Sequence, residues 1–562
     1  MYKRIIFSLA LMLCMTTGAM YAQGSQVKKA NQATFSLNTF RADGTVLSTS
    51  HGVFINSQGE AISQWKPFEG AAKAVVIDSK GKKYDVDGLI AANELYDVCK
   101  FHIKGTTESA VISKSTLQAN SKLWIGCYGV KDSRLVPATI GKVETFTAGD
   151  QPKEYPYYIV NGKIPQDIAF CPLINDNGEV VALIQSNTGD TANGVSALFP
   201  SDMQLQQQIG ETATTLAKSN IAPMLPKDYN EASIALLLSA QNRKGDAYLA
   251  VVEQFINMFP QKVDGYENRA RLRMNSGDYQ GAKADMEKAI SVADDKAEAH
   301  YTYSNLILDK ELYYANDQFE GWNLEMALNE AKAAYQTTDH PAYLQQQGKV
   351  LFAMQKYDEA YNTYMKLQDT SLAGPETMYA AVVCKQNSNA PLEELITLMD
   401  STIAVCPHPL TFQSAPYVLQ RGIIYQQHSQ YRKAIADFAN YEKLMVGNNL
   451  PASFYYNRFV CEREGHIYQQ ALEDITKATE LEPYNSVYFC ELGSFQIRLK
   501  KNDEAIASAN KAILLDRKNA DAYAVLGVAQ CLVGKKHEGV LNLEEAKSLG
   551  YEGADELINK YK

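Results

Sequence analysis

The chain has 562 residues, 46% of them hydrophobic, and its 64 aspartates and glutamates outweigh 54 lysines and arginines to give a formal net charge of -10. That length argues for more than one domain, and that apolar content is ample for ordinary cores. The negative balance disfavours nucleic acid and anionic membrane as partners, because a phosphate binder needs a basic stripe.

At the start of the chain, Lys3 and Arg4 precede an apolar stretch from Ile5 to about Met15, and small residues lead to Ala19-Met20-Tyr21-Ala22 before Gln23. This is the layout of a secretory signal peptide over 1–22, with cleavage expected after Ala22. A membrane anchor needs about 20 apolar residues, and this run is roughly half that. A lipoprotein signal would put a small residue, not Leu13, before Cys14. Loss of the signal removes two positive charges and moves the net charge to -12. The expectation is an exported protein, periplasmic, in the cell envelope or extracellular, without membrane insertion. Eight cysteines then remain, scattered at 99, 127, 171, 384, 406, 461, 490 and 531 without metal-ligand spacing. Buried free thiols are expected, and a disulfide such as Cys384 with Cys406 is the alternative in an oxidising compartment.

Residues 32–212 carry short β-rich runs, among them 34–40, 52–56, 74–78 and 180–185, separated by turns such as Asp43-Gly44, Gln58-Gly59 and Asn177-Gly178. Short strands with Gly and Asn turns predict a β-barrel or sandwich, and the segment is long enough for two small barrels packed together. The polar stretch 213–226, with Pro223 and Pro226, predicts an extended linker.

From residue 227 to 562 an internal period takes over. Leu492-Gly493 and Leu526-Gly527 stand 34 residues apart, and counting back the same distance reaches Phe459. Each falls in the first helix of a hairpin; the second helix that follows Phe459 carries Tyr468 with Ala471, and the same Tyr-x-x-Ala recurs at Tyr279 with Ala282, Tyr357 with Ala360 and Tyr431 with Ala434. Gly348 and Gly422 each lie nine residues before such a Tyr. These segments resemble tetratricopeptide repeats. Small residues belong where two helices cross, and hairpins that cannot bury an apolar face alone stack into a superhelix. First helices centred near 236, 270, 304, 348, 385, 422, 459, 493 and 527 give about nine hairpins, with an insertion around 313–322. The resemblance implies a concave groove that grips a protein or peptide partner, with Tyr301, Asn305, Lys349, Tyr456 and Arg463 as candidate groove residues. The Lys and Asn pattern with which some family members clamp a C-terminal carboxylate is replaced here by Glu267 and Arg271.

The N-terminal region carries a second resemblance. The stretch 51–56 with Gly59 and 61–63, then Asp97-Val98-Cys99-Lys100-Phe101, then Pro172-Leu173-Ile174-Asn175 with 177–183, and finally 197–202 follow in order the strand motifs of trypsin-like, HtrA-like serine proteases. The fold class expected is therefore an all-β trypsin-like double barrel followed by an all-α tetratricopeptide superhelix. Carried over one at a time, the family's histidine falls on Lys66 and its nucleophilic serine on Ala169, and only Asp97 is kept. The glycines flanking the nucleophile are replaced by Asp167, Phe170 and Cys171, and the geometry of the first is one that a side chain resists. A triad needs all three side chains and an oxyanion hole, so no catalysis is expected from these vestigial positions. Cys171 with His102 would be an alternative nucleophilic pair, but the match puts Cys171 at a packing position.

Two readings of Asp97 stay open: an ion pair with Lys66, or hydrogen bonds from backbone N–H groups while Lys66 turns to solvent. No Gly-rich phosphate loop, HExxH motif or paired-carboxylate sugar site occurs, and the histidines at 300, 340, 408, 428, 466 and 537 are single, so no cofactor or metal is expected. The function implied is a non-catalytic exported scaffold or adaptor. A peptidase with repeat-recruited substrates and a holdase-type chaperone are the alternatives.

Overall fold

The computed structural model describes residues 24–148, 153–205 and 211–562; the signal peptide expected over 1–22 lies outside them. The chain divides into two units, 1–299 with 317–321, and 300–316 with 322–562.

The first unit opens with a helix, α1 (24–32), and two barrels. Strands β1 (Thr34–Phe40), β2 (Val46–Phe54), β3 (Glu60–Gln64), β4 (Lys73–Asp78), β5 (Lys83–Asn93) and β6 (Val98–Ile103) close in the order β1-β2-β3-β6-β5-β4. Alternation explains the closure. Phe35 and Leu37 point inward from β1 and meet Phe54, Phe68 and Phe101 in a single apolar core, with the Phe35 and Phe54 rings 4.6 Å apart. The expected turn at Gln58-Gly59 depends on its glycine: Gly59 has φ +104°, and a Cβ there would lie 2.3 Å from the carbonyl of Ile103.

The second barrel uses β7 (Val111–Ile112), β8 (Lys122–Cys127), β9 (Arg134–Ala148), β10 (Lys153–Gly162), β11 (Pro172–Ile174), β12 (Glu179–Thr188) and β13 (Thr191–Ser196). Its strands run β11-β8-β9-β10-β13-β12, and pairing of β11 with β12 closes the ring, while β7 adds to β12 in parallel. Between the barrels lies a shared core that includes Val53, Ile62 and Val98 from the first, with Phe170, Val180 and Val195 from the second.

The segment expected as a linker is built into the first barrel. Following α2 (Leu198–Asp202), helix α3 (Glu211–Ala217) leads Leu216 and Ile221 into the barrel core. The Leu89 N–H donates to the carbonyl of Ala222, and the Met224 N–H donates to that of Leu89. Buried Arg243, which ends α4 (Tyr229–Asn242), donates to the carbonyls of Leu216, Ser219 and Ile221 at 2.6–3.2 Å. Two apolar side chains and one arginine outweigh the polar, proline-marked composition that suggested an extended connection.

Helices α4 to α21 form nine consecutive pairs among the described residues: α4 with α5 (Asp246–Met258), α6 (Val263–Asn275) with α7 (Tyr279–Val292), α8 (Lys296–Tyr313) with α9 (Leu324–Thr337), α10 (Pro341–Ala353) with α11 (Tyr357–Lys366), α12 (Pro375–Asn387) with α13 (Leu392–Ala404), α14 (Ala415–Gln427) with α15 (Tyr431–Leu444), α16 (Ala452–Glu464) with α17 (Tyr468–Leu481), α18 (Ser486–Arg498) with α19 (Asn502–Leu515) and α20 (Ala520–Leu532) with α21 (Lys536–Ser548). A short helix, α22 (Ala554–Tyr561), follows. The expected insertion is the turn between α8 and α9. Helix α12 centres a few residues before the expected 385, with Ala381 and Val382 fully buried.

Crossing distances explain the small residues. A Cβ on Gly348 would lie 2.9 Å from the Tyr364 ring, one on Gly422 would lie 2.9 Å from the Phe438 ring, and one on Gly527 would lie 2.7 Å from the carbonyl of Gly539. An ion pair spaced sixteen residues apart recurs across three hairpins: Arg269 with Asp285, Arg421 with Asp437, and Arg458 with Asp474. Each aspartate is buried, and a buried carboxylate held by two guanidinium N–H groups meets its solvation needs within the hairpin.

Candidate functional site

Asp97 sits at the turn into β6 with φ 51°. One carboxylate oxygen accepts the backbone N–H of Lys66 at 2.8 Å, and the other accepts the side-chain amide of Gln64 at 2.7 Å. Gln64 is anchored in turn by the Ser50 hydroxyl, which donates to its carbonyl oxygen at 3.0 Å. Lys66 is exposed, and no ion pair joins it to Asp97 among the described residues. The backbone reading of Asp97 is therefore the observed one, with a glutamine amide added to it. Geometry gives the reason: Gln64 ends β3 next to β6 and reaches the carboxylate from a buried strand, while the Lys66 stem starts on a solvent-facing turn.

Ala169 is exposed between Asp167 and Phe170, which have φ 58° and 60°. The left-handed backbone expected to need glycine is thus adopted here by two residues with side chains. Phe170 is held there by complete burial and by its N–H donating to the carbonyl of Ile184 at 2.6 Å. Beside Ala169 stands a histidine from the other barrel. The Nδ1 of His51 lies 3.2 Å from the carbonyl oxygen of Ala169, and the imidazole is 5.6 Å from the Tyr128 ring. Burial pushes His51 below the ordinary histidine range, against the opposing pull of the Ala169 carbonyl and Asp167. A neutral imidazole holding its proton on Nδ1 can donate to that carbonyl. The sequence motif contained His51, but its nearness to Ala169 follows from barrel packing and is written in no local spacing.

Cys171 does not meet His102. His102 pairs with Asp87 at 2.7 Å on the first barrel, while Cys171 lies in the core of the second, where burial pushes its thiol up to about 12. A thiol so raised is not a nucleophile near neutral pH. All eight described cysteines are buried and free, Cys384 and Cys406 among them.

The candidate groove residues all lie in the second unit. On α8, the Tyr301 ring packs 5.2 Å from that of Tyr343, and the Asn305 side chain donates to the carbonyl of Tyr301. Lys349 on α10 is exposed. On α16, the Tyr456 ring lies tilted 5.0 Å from that of Tyr488, and Arg463 pairs with Glu491 at 3.0 Å while lying over the Phe459 ring.

The match to a family model bears on the helical half. The tetratricopeptide repeat family model matches residues 263–296 and 487–519, which are the hairpins α6–α7 and α18–α19. The helical half carries tetratricopeptide repeats. Over 85 residues the chain is 29% identical to a TPR repeat-containing thioredoxin of Arabidopsis thaliana, matching 15% of this chain and 22% of that one. It is equally similar over the same length to a FAM10 family protein of the same plant, spanning 19% of it. The chain therefore spans about a fifth of the curated relatives it matches. Among solved structures it is similar to the Rv3671c protease of M. tuberculosis. The active form is 17% identical, with 36% of this chain and 86% of that one covered and a TM-score of 0.27. A serine-to-alanine mutant of it in the inactive form is 14% identical, with 32% and 87% covered and a TM-score of 0.27. No helix among the described residues is long and apolar enough to cross a membrane, and no group of three or more metal-binding side chains occurs among them.

Proposed function

We propose that this is an exported, non-catalytic scaffold that holds a protein or peptide partner on the first-helix face of its tetratricopeptide array, through Tyr301, Asn305, Lys349, Tyr456 and Arg463. The observation that carries the reading is the state of the three triad positions. Ala169 offers a methyl group where acyl transfer needs a nucleophile, and Asp97 is already taken by Gln64 and the Lys66 backbone, so a base placed at 66 would lack its orienting partner. Binding is then the work left to the helical half. Aromatic and arginine side chains are the commonest interface hot spots, and Tyr456 and Arg463 are partly ordered by contacts within the array, which lowers the entropy cost of presenting them.

Affinity capture from the organism's own cell envelope tests the reading. Joint substitution of Tyr301, Tyr456 and Arg463 by alanine is expected to weaken capture, and Asp97→Ala to leave it intact. The protein is expected to leave casein uncut and a fluorophosphonate probe unreacted, with Ala169→Ser and Lys66→His together restoring neither. Proteolysis that responds to mutation within residues 32–212 would overturn the proposal.

A further inference from the structure

Strands β8 and β11 pair antiparallel with Ile125 opposite Leu173 and Trp124 opposite Ile174. Continued one pair at a time, this register sets Gly126 opposite Pro172 and Cys127 opposite Cys171. Packing supports the continuation, since a Cβ on Gly126 would lie 3.0 Å from the Pro172 ring and 3.1 Å from Ile174. Side chains alternate faces along a strand. Gly126 and Pro172 therefore share one face, and Cys127 and Cys171 share the other, where both join the core of the second barrel beside Ile125 and Leu173. The Cys171 thiol lies against the backbone of Tyr128, the neighbour of Cys127, and within electrostatic reach of the Cys127 sulfur. Opposed residues on antiparallel strands hold their Cβ atoms about 4.5–5.5 Å apart, and a disulfide spans about 3.5–4.5 Å. A small approach of the two strands closes that difference. Each sulfur contacts backbone: that of Cys127 lies 4.0 Å from the carbonyl of Ile125, and that of Cys171 hydrogen-bonds the backbone of Tyr128. Cys99, the remaining cysteine of the described barrels, belongs to the first barrel's core.

We infer that Cys127 and Cys171 are the site of a cross-strand disulfide, formed by exchange with a small-molecule or protein disulfide while the second barrel is still open. One cysteine thiolate attacks the oxidant and expels one of its sulfurs as thiolate. The other cysteine then attacks the protein sulfur of the mixed disulfide, forming the Cys127–Cys171 bond and expelling the oxidant's second sulfur. The pair gives up two protons and two electrons, and the oxidant disulfide ends as two thiols. Exchange has to precede closure because the folded thiols are only 6% and 1% exposed, and burial raises both above the ordinary thiol range. Once formed, the bond is shielded from reductants by the same burial. It ties the end of the loop carrying Ala169 to β8, and so fixes the loop at the old nucleophile position.

The test folds the reduced, denatured full-length chain in a reduced and oxidised glutathione couple, in parallel with a sample kept reduced, and compares them by thiol titration after denaturation, intact mass and peptide mapping. The expected result is a loss of two titratable thiols, a mass lower by two hydrogen atoms, and one linked peptide joining the segments around 127 and 171. Cys127→Ala is expected to keep all its remaining thiols. Wild-type mapping decides the matter should that variant fail to fold. A chain that reaches native circular dichroism with every thiol still titratable, or one linked through another pair such as Cys384 and Cys406, would overturn the inference.

Discussion

At the scale of single residues, Asp97 is held by one side chain and one main-chain group. Its carboxylate accepts one side-chain and one main-chain N–H, each a hydrogen bond to a charged group that typically contributes about 1.5–3 kcal/mol where solvent is excluded. Partial exposure reduces that figure here. Asp97→Ala also puts alanine into a left-handed backbone, at a cost of roughly 1 kcal/mol. The substitution is therefore expected to destabilise the barrels by about 2–3 kcal/mol in denaturant unfolding. Asp97→Asn, which tolerates that backbone and keeps one acceptor, should cost less than half as much. Equal losses for the two variants would mean that the carboxylate's hydrogen bonds contribute little.

Glu462 gives a residue-scale prediction with a pH sign. It is 3% exposed, and burial together with the nearby Asp474 charge pushes it up to about 8 against the counter-pull of Arg458. Arg458 also pairs with Glu442 at 2.6 Å and with Asp474 at 2.5 Å, so three carboxylates share one guanidinium. The folded chain holds a proton on Glu462 that the unfolded chain releases near the ordinary carboxylate value. The stability linked to it is thus complete below that value and is lost as pH rises through about 8. Denaturant midpoints of wild type should show an array weaker at about pH 9 than at about pH 5 by on the order of 2 kcal/mol from this group. Glu462→Gln should remove that part of the slope, and an unchanged slope would place the titration elsewhere.

At the scale of elements, the hairpins depend on how closely two helices approach. At Gly527 an added Cβ would meet the Gly539 carbonyl at 2.7 Å and Leu543 at 2.8 Å, and Gly539 is itself packed on the Gly527 carbonyl. Backbone cannot yield as a side chain can. Gly527→Val is expected to cost on the order of 3 kcal/mol and to melt the α20–α21 pair first, as read by hydrogen exchange. At Gly493 the nearest atom would be Val525 Cγ1 at 3.1 Å, the tip of a movable side chain. Replacing that glycine by alanine also gains up to about 1 kcal/mol of helix propensity. Gly493→Ala should fall within about 1 kcal/mol of wild type, and a loss as large as at Gly527 would contradict this account of the crossings.

At the scale of the whole molecule, the first unit runs past the barrels into the first two hairpins. Arg243 is the visible fastener, with three carbonyls on one guanidinium. Arg243→Ala should leave those buried acceptors unpaired, cost about 3 kcal/mol, and speed hydrogen exchange across 216–225. Arg243→Lys should recover only part of the loss, because an ammonium cannot present the same planar fork. A fragment starting at 227 would separate Arg243 from its three partners, so its first hairpin should exchange faster than the same hairpin in the full chain. Equal protection in both would mean that the segment is held by other contacts.

Periodicity and motif order, read from the sequence alone, determined the two architectures, the first strand at 34–40, the crossing glycines and the lack of a nucleophilic atom at Ala169. Those features live in local residue types: a helix crossing excludes Cβ atoms wherever it occurs, and alanine lacks a nucleophile in any fold. Tertiary structure alone decided which groups surround Asp97, that His51 stands over Ala169, that Asp167 and Phe170 hold a glycine's backbone, and that residues 213–226 belong to a barrel. Each of these joins segments far apart in the chain, where the partner is chosen by strand register and barrel packing. A hydrogen bond from Gln64 or a carbonyl for Arg243 has no signature in the neighbouring residues, because what selects it is which buried polar group would otherwise go unpaired.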